Sequence, residues 1–419
     1  MVKYSQRQWL APGLQDFAET INMERLREER AERARQVLKQ HGVPAMLVTF
    51  TPNVRYLTGY FHLAHTQEDY VLFFAEGDPI MFAHAGYYQA QPHLMPWIKH
   101  WRIGRSWLEE ICGPDATQKE AKLFAHDIWQ ELHDRGLTGE KLGVVCFDDV
   151  SQAALRENGL TVVDGWPLLL EASKIKTQDE IACLKVAASI CDVGWRCLMQ
   201  NAKPGMTTGQ VTNMVRTALY EGGGRTRLYR YLGRSRSHNR LAGGGARNVR
   251  IGYGDLGYMM LCGTSYMGYG ACLYRSFIVG RKPNAKEKDM YKRLLERINA
   301  AIDATKVGNT TADAAKAFPA ASTRGCKDEA EILTVEFGHG VGIVSYPPAF
   351  VAYNLPNINR QWSFEFPQPF EKDMTIAYES LEGEPGFGGV RLENMVVITE
   401  DGAEIMDTFP RDEILVAGV

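Results

Sequence analysis

The chain has 419 residues, 45% hydrophobic and 23% charged, with 47 Lys plus Arg against 50 Asp plus Glu. At roughly 100–200 residues per domain this is a globular chain of two or three domains, and a net charge of -3 gives no general reason to bind nucleic acid or an acidic membrane. No apolar run reaches the roughly 18 residues of a membrane span, and the N-terminal stretch MVKYSQRQWLAPGLQDF lacks the continuous apolar core of a signal peptide.

The eight cysteines (Cys112, Cys146, Cys183, Cys191, Cys197, Cys262, Cys272 and Cys326) form no CxxC pair. Reduced thiols in a cytoplasmic enzyme are therefore expected, rather than a disulfide scaffold or a zinc ribbon. No internal repeat or low-complexity tract is present, which excludes solenoids and propellers.

After a polar lead over residues 1–20, Leu26, Ala34, Val37 and Leu38 recur at helical spacing. They predict a helix over about 23–40, stopped by His41-Gly42. Residues 45–50 read as a short buried strand. A turn is expected at Thr51-Pro52-Asn53, because proline favours turn geometry and cannot donate to a sheet. Residues 70–75 and 142–147 read as further buried strands. Strands alternating with helices imply an α/β N-terminal domain, assigned to 21–172.

Thr177 and Glu180 form a capping box, in which each side chain satisfies an orphan N–H at a helix start. Ile181, Leu184, Ala188, Cys191, Trp195 and Leu198 then predict an amphipathic helix of about five turns. Pro204-Gly205 ends it, and Thr207 with Gln210 opens a second helix to about Tyr220. The domain boundary is placed near 172–176. Beyond it, 258–263, 268–280, 375–380 and 390–399 are β-rich, with a helix over about 286–304 between them. This predicts an α+β C-terminal domain over 173–419 with a largely antiparallel sheet.

Several strings together resemble the creatinase/prolidase/methionine aminopeptidase family, the pita-bread fold. Pro52-Asn53-Val54-Arg55-Tyr56-Leu57-Thr58-Gly59-Tyr60 resembles the N-terminal domain of the creatinase/prolidase branch. Ile175-Lys176 through Glu180-Ile181, then Pro204-Gly205-Met206-Thr207, resembles the start of the catalytic domain. Gly338-His339-Gly340-Val341-Gly342 resembles the histidine motif, and Gly389-Val390-Arg391-Leu392-Glu393-Asn394 the final glutamate strand. The resemblance implies two domains, an active site in the second and a homodimer.

The family's peptidases hold two divalent metals with two Asp, one His and two Glu. The resemblance puts the His on His339 and the glutamates on Glu379 and Glu393. The two aspartate positions fall on Leu261 and Cys272, so the dimetal site reads as degraded. A dimetal centre needs carboxylates to offset two hard cations. The expected cofactor is therefore none, with a single metal held by His339, Glu379 and Glu393, and Cys272 beside them, as an alternative. A second family histidine is replaced by Tyr346, a donor or a packing aromatic. The nearest imidazole to the family's upstream catalytic histidine is His238, which otherwise reads as a solvated loop residue. Cys272 is a pocket contact or a small filler at an abandoned ligand position.

An imidazole and two carboxylates suit proton transfer more than hydrolysis. Eight arginines crowd Gly222 to Arg250. Among them Arg230 and Arg236 can clamp a carboxylate or phenolate, and Tyr231 can stack on an aromatic ring. The favoured expectation is a metal-independent lyase cleaving a C–C, C–O or C–S bond in a small, aromatic, non-peptide substrate. Release of formaldehyde from an aromatic primary alcohol is one form of it. The alternatives are a creatinase-like C–N hydrolase, a mononuclear metallohydrolase and a non-enzymatic binding module. The expected catalytic set is His339, Glu379, Glu393 and Tyr346, with Arg230, Tyr231, Arg236, His238 and Cys272 at the substrate.

Overall fold

The computed structural model describes residues 21–61, 69–86, 88–229, 232–234, 248–332, 337–343, 353–384 and 387–418, with backbone alone for 225–229 and 232–234. They fall into two compact units, one built on Met23–Ser173 and the other on Lys174–Gly342 with the residues from 353 on.

In the first unit, helix Met23–Gln40 buries Leu26, Ala34, Val37 and Leu38, the stripe its spacing predicts. Strands β1 (Ala45–Thr49), β2 (Tyr70–Phe74), β3 (Ile80–Ala83), β4 (His100–Ile103), β5 (Lys141–Val145) and β6 (Thr161–Asp164) form one sheet in the order β4-β3-β2-β1-β5-β6. The sheet is mixed: β1 runs antiparallel to β2 and parallel to β5. Helix Pro114–His133 packs Ala121, Phe124, Ala125, Ile128 and Leu132 into a core with Leu47, Leu72 and Phe74. Each such fully buried aliphatic or aromatic side chain contributes roughly 1.5–3 kcal/mol. The turn expected at residues 51–53 is instead the first turn of helix Thr51–Thr58. Pro52 is tolerated there because the first turn of a helix needs no N–H from it.

In the second unit both predicted capping boxes are formed. Thr177 Oγ1 accepts from Glu180 N at 3.2 Å while Glu180 Oε2 accepts from Thr177 N at 2.8 Å. Thr207 and Gln210 repeat the exchange. The first helix, Gln178–Asn201, is 24 residues long, longer than the five turns expected. The second is Thr208–Glu221.

Short strands follow: β7 (Arg225–Tyr229), β8 (Leu232–Arg234), β9 (Leu256–Met260), β10 (Cys262–Tyr266), β11 (Tyr269–Ala271) and β12 (Tyr274–Val279). Helix Ala285–Asp303 comes next, with Asn284 and Glu287 as its capping box. Then come β13 (Phe337–Val341), β14 (Tyr353–Ile358), β15 (Thr375–Glu384), β16 (Gly388–Ile398), β17 (Ala403–Ile405) and β18 (Leu415–Ala417). The main sheet runs β14-β13-β15-β16-β12-β9-β8, with β17 on β16 and β18 on β12. Its pairs are antiparallel apart from β12 with β18. Helix Ala285–Asp303 lays Met290, Leu294, Ile298 and Ala301 in one core with Ile376, Tyr378, Leu392 and Val396 of the sheet. The unit is α+β, as expected.

Candidate active site

Side chains alternate along a strand, so packing one parity against the helix assigns the other to the opposite face. Ile376, Tyr378, Leu392 and Val396 share the core of helix Ala285–Asp303. Ala377, Glu379, Arg391, Glu393 and Met395 therefore share the other face. The strand register aligns Glu379 directly with Glu393, Phe337 with Glu379, and Tyr274 with Glu393. One cross-strand row thus reads Phe337, Glu379, Glu393, Tyr274.

His339 comes from β13, next to β15. Its flanking glycines are required by close approach. A Cβ on Gly340 would lie 2.3 Å from the Leu355 carbonyl oxygen, and one on Gly338 would lie 2.7 Å from the Tyr378 ring. The imidazole is fully buried. Its Nδ1 lies 3.1 Å from the Gly340 carbonyl, which can only accept, so Nδ1 carries the hydrogen. That leaves Nε2 as the ring nitrogen facing Glu393 Oε1, 3.7 Å away. Among the described residues neither atom has a hydrogen-bond partner, although both are buried.

Two glutamates directly opposed on a buried face repel. The fold answers this with Arg391, whose Nη2 donates to Glu379 Oε2. Burial pushes the Glu379 carboxyl up to about 7, against the pull of Arg391, and Glu393 pushes the same way. Burial, the largest single cause, works against the Arg391 cation, but the charges of Glu379, Tyr274, Tyr258 and Glu393 together outweigh it and hold the guanidinium protonated above its usual range. The guanidinium carbon also sits 4.1 Å from the Tyr274 ring centroid and 5.5 Å from that of Tyr258. These two tyrosines flank the site. Tyr353 packs edge-on to His339, with centroids 4.3 Å apart. Burial, then the charges of Cys272, Glu379, Cys262 and Glu393, raise its phenol well above the usual value, so it stays a proton donor.

Cys272 reaches the site, as expected, and it does not reach it alone. Its Sγ lies 2.6 Å from Cys262 Sγ, and Cys262 Sγ donates to Glu393 Oε2 at 3.5 Å. Both are buried free thiols. Burial pushes Cys262 up to about 12 and Cys272 well above its usual range, so both stay protonated near neutral pH. Leu261, expected at the first aspartate position, instead packs toward Gly194 in helix Gln178–Asn201. The neighbouring Cys262 is the side chain that faces Glu393.

Glu393 is fixed from behind. The buried Arg275 guanidinium donates to the Glu393 carbonyl at 2.7 Å and the Tyr274 carbonyl at 2.9 Å, and pairs with Asp407. Asp407 also accepts from Asn394 Nδ2 at 2.9 Å and Met395 N at 3.2 Å. Arg275 is thereby occupied with backbone and Asp407, so the ion pair of the site belongs to Arg391 and Glu379.

Of the expected site residues, the structure brings His339, Glu379, Glu393 and Cys272 together. Tyr346, Arg230, Tyr231, Arg236 and His238 lie outside the residues whose side chains are described. Sequence reasoning missed Cys262 and Tyr353. Arg391, Tyr258 and Tyr274 are likewise absent from the expected set. Cys262 carried a readable signal, a second thiol one position from an aligned ligand site. Tyr353 carried none, because only the pairing of β13 with β14 brings it to His339.

The fold and the His/Glu/Glu face define a two-domain pita-bread protein. Residues 182–400 match the metallopeptidase family M24, and residues 30–157 match the creatinase/prolidase N-terminal domain. The chain belongs to this creatinase/prolidase family. A Xaa-Pro dipeptidase of Pyrococcus furiosus is 27% identical over 57% of this chain and 64% of that enzyme. The dimethylsulfoniopropionate lyase DddP of Roseobacter denitrificans is 26% identical over 88% of this chain and 83% of that protein. The prolidase structure from Pyrococcus horikoshii superposes with a TM-score of 0.70 at 20% identity, covering 92% of this chain and all of that one (100%).

Metal ions are usual in the family, so the donor set bears directly on the chemistry. Among the described residues, two candidate triads share Glu393: His339–Glu379–Glu393 and Cys262–Cys272–Glu393, each with its ligand atoms within 4.8 Å of one another. A pair of hard divalent ions does not fit them. Leucine offers no ligand, two thiols are soft donors, and Glu379 already faces a fixed guanidinium that repels a second cation.

Proposed function

We propose that the protein is an acid/base lyase of the creatinase/prolidase fold that cleaves a C–C, C–O or C–S bond in a small, aromatic, non-peptide substrate without using a metal. One observation carries the reading. A protein cation, Arg391, neutralises Glu379, while His339 Nε2 and Glu393 Oε1 lie buried 3.7 Å apart beside it, with no hydrogen-bond partner among the described residues. A neutral imidazole with a free lone pair is a base that works near neutral pH.

Consider a primary alcohol whose neighbouring carbons carry an aryl group and an aryl-oxide leaving group. His339 Nε2, backed by Glu393, takes the O–H proton. The freed electron pair forms the carbonyl of formaldehyde as the C–C bond breaks. That bond's pair becomes a C=C bond as the aryl C–O bond breaks. The departing oxide takes its proton from Tyr353 or from the fraction of Glu379 that its raised pKa of about 7 keeps protonated near neutral pH, with Arg391 stabilising the developing charge. In a β-elimination the same base takes a C–H proton and the leaving group carries away the electron pair of a C–S or C–O bond. The aromatic groups around the site (Phe337, Tyr353, Tyr258 and Tyr274) suit an aromatic substrate. The likeness to a dimethylsulfoniopropionate lyase favours elimination, whereas the likeness to Xaa-Pro dipeptidases favours hydrolysis. A creatinase-like attack on a cationic guanidino carbon is less favoured, because Arg391 already neutralises one of the two glutamates. The family resemblance supports a homodimer, which light scattering would check.

The test is turnover in chelator by metal-stripped protein. It is offered aromatic primary alcohols, dimethylsulfoniopropionate, creatine and Xaa-Pro dipeptides, and scored for formaldehyde, acrylate, urea and free proline. Chelator-resistant formaldehyde or acrylate is the expected result. Urea, or proline whose release stops in chelator, would overturn the proposal.

A further inference from the structure

The thiol pair has no role in that proton chemistry. Cys262 and Cys272 belong to β10 and to the bend between β11 and β12, yet their Sγ atoms lie 2.6 Å apart in a fully buried place. Glu393 Oε2 lies 3.5 Å from Cys262 Sγ. A thioether is present too, since Met395 Sδ accepts from Cys272 N at 3.3 Å. Two sulfurs and one carboxylate oxygen within a common 4.8 Å sphere of distances form a donor set for a soft ion.

We infer that Cys262, Cys272 and Glu393 form a binding site for one thiophilic divalent ion of the zinc and cadmium type, and that this ion competes with the acid/base function of Glu393. The site reverses the family preference. Hard ions such as Mn2+ prefer carboxylate and water oxygen, and among the described residues this donor set offers one carboxylate, Glu393. The alternative triad, His339–Glu379–Glu393, is weaker for any cation because Arg391 holds Glu379.

Binding replaces two thiol protons by one ion, so about two protons are released per ion. At Zn–S distances of about 2.3 Å a tetrahedral ion sets its sulfurs roughly 3.8 Å apart, so binding opens the pair by about 1 Å. Once bound, the ion draws the Glu393 carboxylate away from His339. The competition with turnover rests on the proposed role of Glu393; the ion site does not.

The experiment is titration of reduced, metal-stripped, full-length protein with Cd2+ under anaerobic conditions, read by the thiolate-to-cadmium ultraviolet band and by proton release. The expected result is saturation at one ion per chain, unaffected by excess Mn2+. The band should be lost in Cys262→Ser and in Cys272→Ala and retained in Cys197→Ser, with circular dichroism verifying each fold. No saturating band in the wild-type chain would overturn the inference. So would a band that survives in the folded Cys262→Ser variant, or displacement of Cd2+ by Mn2+. Turnover measured in the same samples separates the two ideas. A stoichiometric band with undiminished turnover leaves the ion site standing and removes Glu393 from the mechanism.

Discussion

Arg391 and Glu379 lie on neighbouring strands of one sheet face, and the guanidinium Nη2 donates to the carboxylate Oε2 in a largely buried place, the arginine side chain 14% exposed and the glutamate 5%. The register that joins them also sets Glu379 directly against Glu393. The arginine is therefore part of what permits two acidic side chains to share a buried row. The positive charge that meets Glu379 is that of a side chain.

Removing that arginine should be costly. Arg391→Met leaves two opposed buried carboxyls without their cation, and breaking a buried pair costs about 3–5 kcal/mol. Denaturant titration at neutral pH should show a loss of that size. The double variant Arg391→Met with Glu379→Gln should recover most of it. Equal instability of the single and double variants would show that the pair is not what holds this face together.

The raised carboxyl of Glu379 makes a prediction with a definite sign. Its value in the fold is about 7, against an ordinary value of 4.5, with burial the main cause. A carboxyl shifted upward contributes its stability fully below its unfolded value and loses it as pH climbs toward its folded value. Wild-type stability should therefore fall between about pH 4.5 and about pH 7 relative to Glu379→Gln, which has no proton to lose. Parallel stability curves for the two proteins across that window would contradict the shift.

Tyr353→Phe keeps the ring against His339 and removes only the hydroxyl. Loss of a positioned proton donor lowers turnover by about 10²- to 10⁴-fold, with melting temperature almost unchanged. His339→Gln should lower turnover over the same range. Rate measurements with each variant, alongside thermal melts, separate lost chemistry from lost fold. Full activity in Tyr353→Phe would assign the proton to another group.

The support under Glu393 should also be measurable. Asp407→Ala leaves the buried Arg275 cation unpaired and releases Asn394 and Met395 N. Loss of the partner of a buried charge costs about 3–5 kcal/mol. Chemical unfolding should register it, and kcat should fall more than KM changes, because the strand under Glu393 moves while the substrate walls remain. A mutant as stable as the wild type would mean that Arg275 is held by its carbonyl acceptors alone.

Much of this architecture is legible in the sequence. The capping boxes at Thr177 and Thr207 are local chemistry, since residues three apart satisfy each other's backbone groups. They fixed both helix starts. The stripe on helix Met23–Gln40 was equally plain. His339, Glu379 and Glu393 were named because their strings are local as well. What failed was non-local. Pro52 suits both a turn and a helix start, and only the following residues' packing decides for the helix Thr51–Thr58. The resemblance puts the first aspartate position on Leu261, whereas the strand there turns Cys262 toward Glu393. The partner of Arg391 followed from the diagonal neighbours of an antiparallel pair, and Tyr353 from the pairing of β13 with β14. Neither relation is written in a single segment.

On the proposed metal-independent reading, the ion pair on this sheet also changes what the cell must supply. A positive charge built into a ribosome-made side chain arrives with the polypeptide. It needs no transporter, no loading step and no defence against exchange for the wrong element. Dialysis does not strip it, and starvation for trace elements does not remove it.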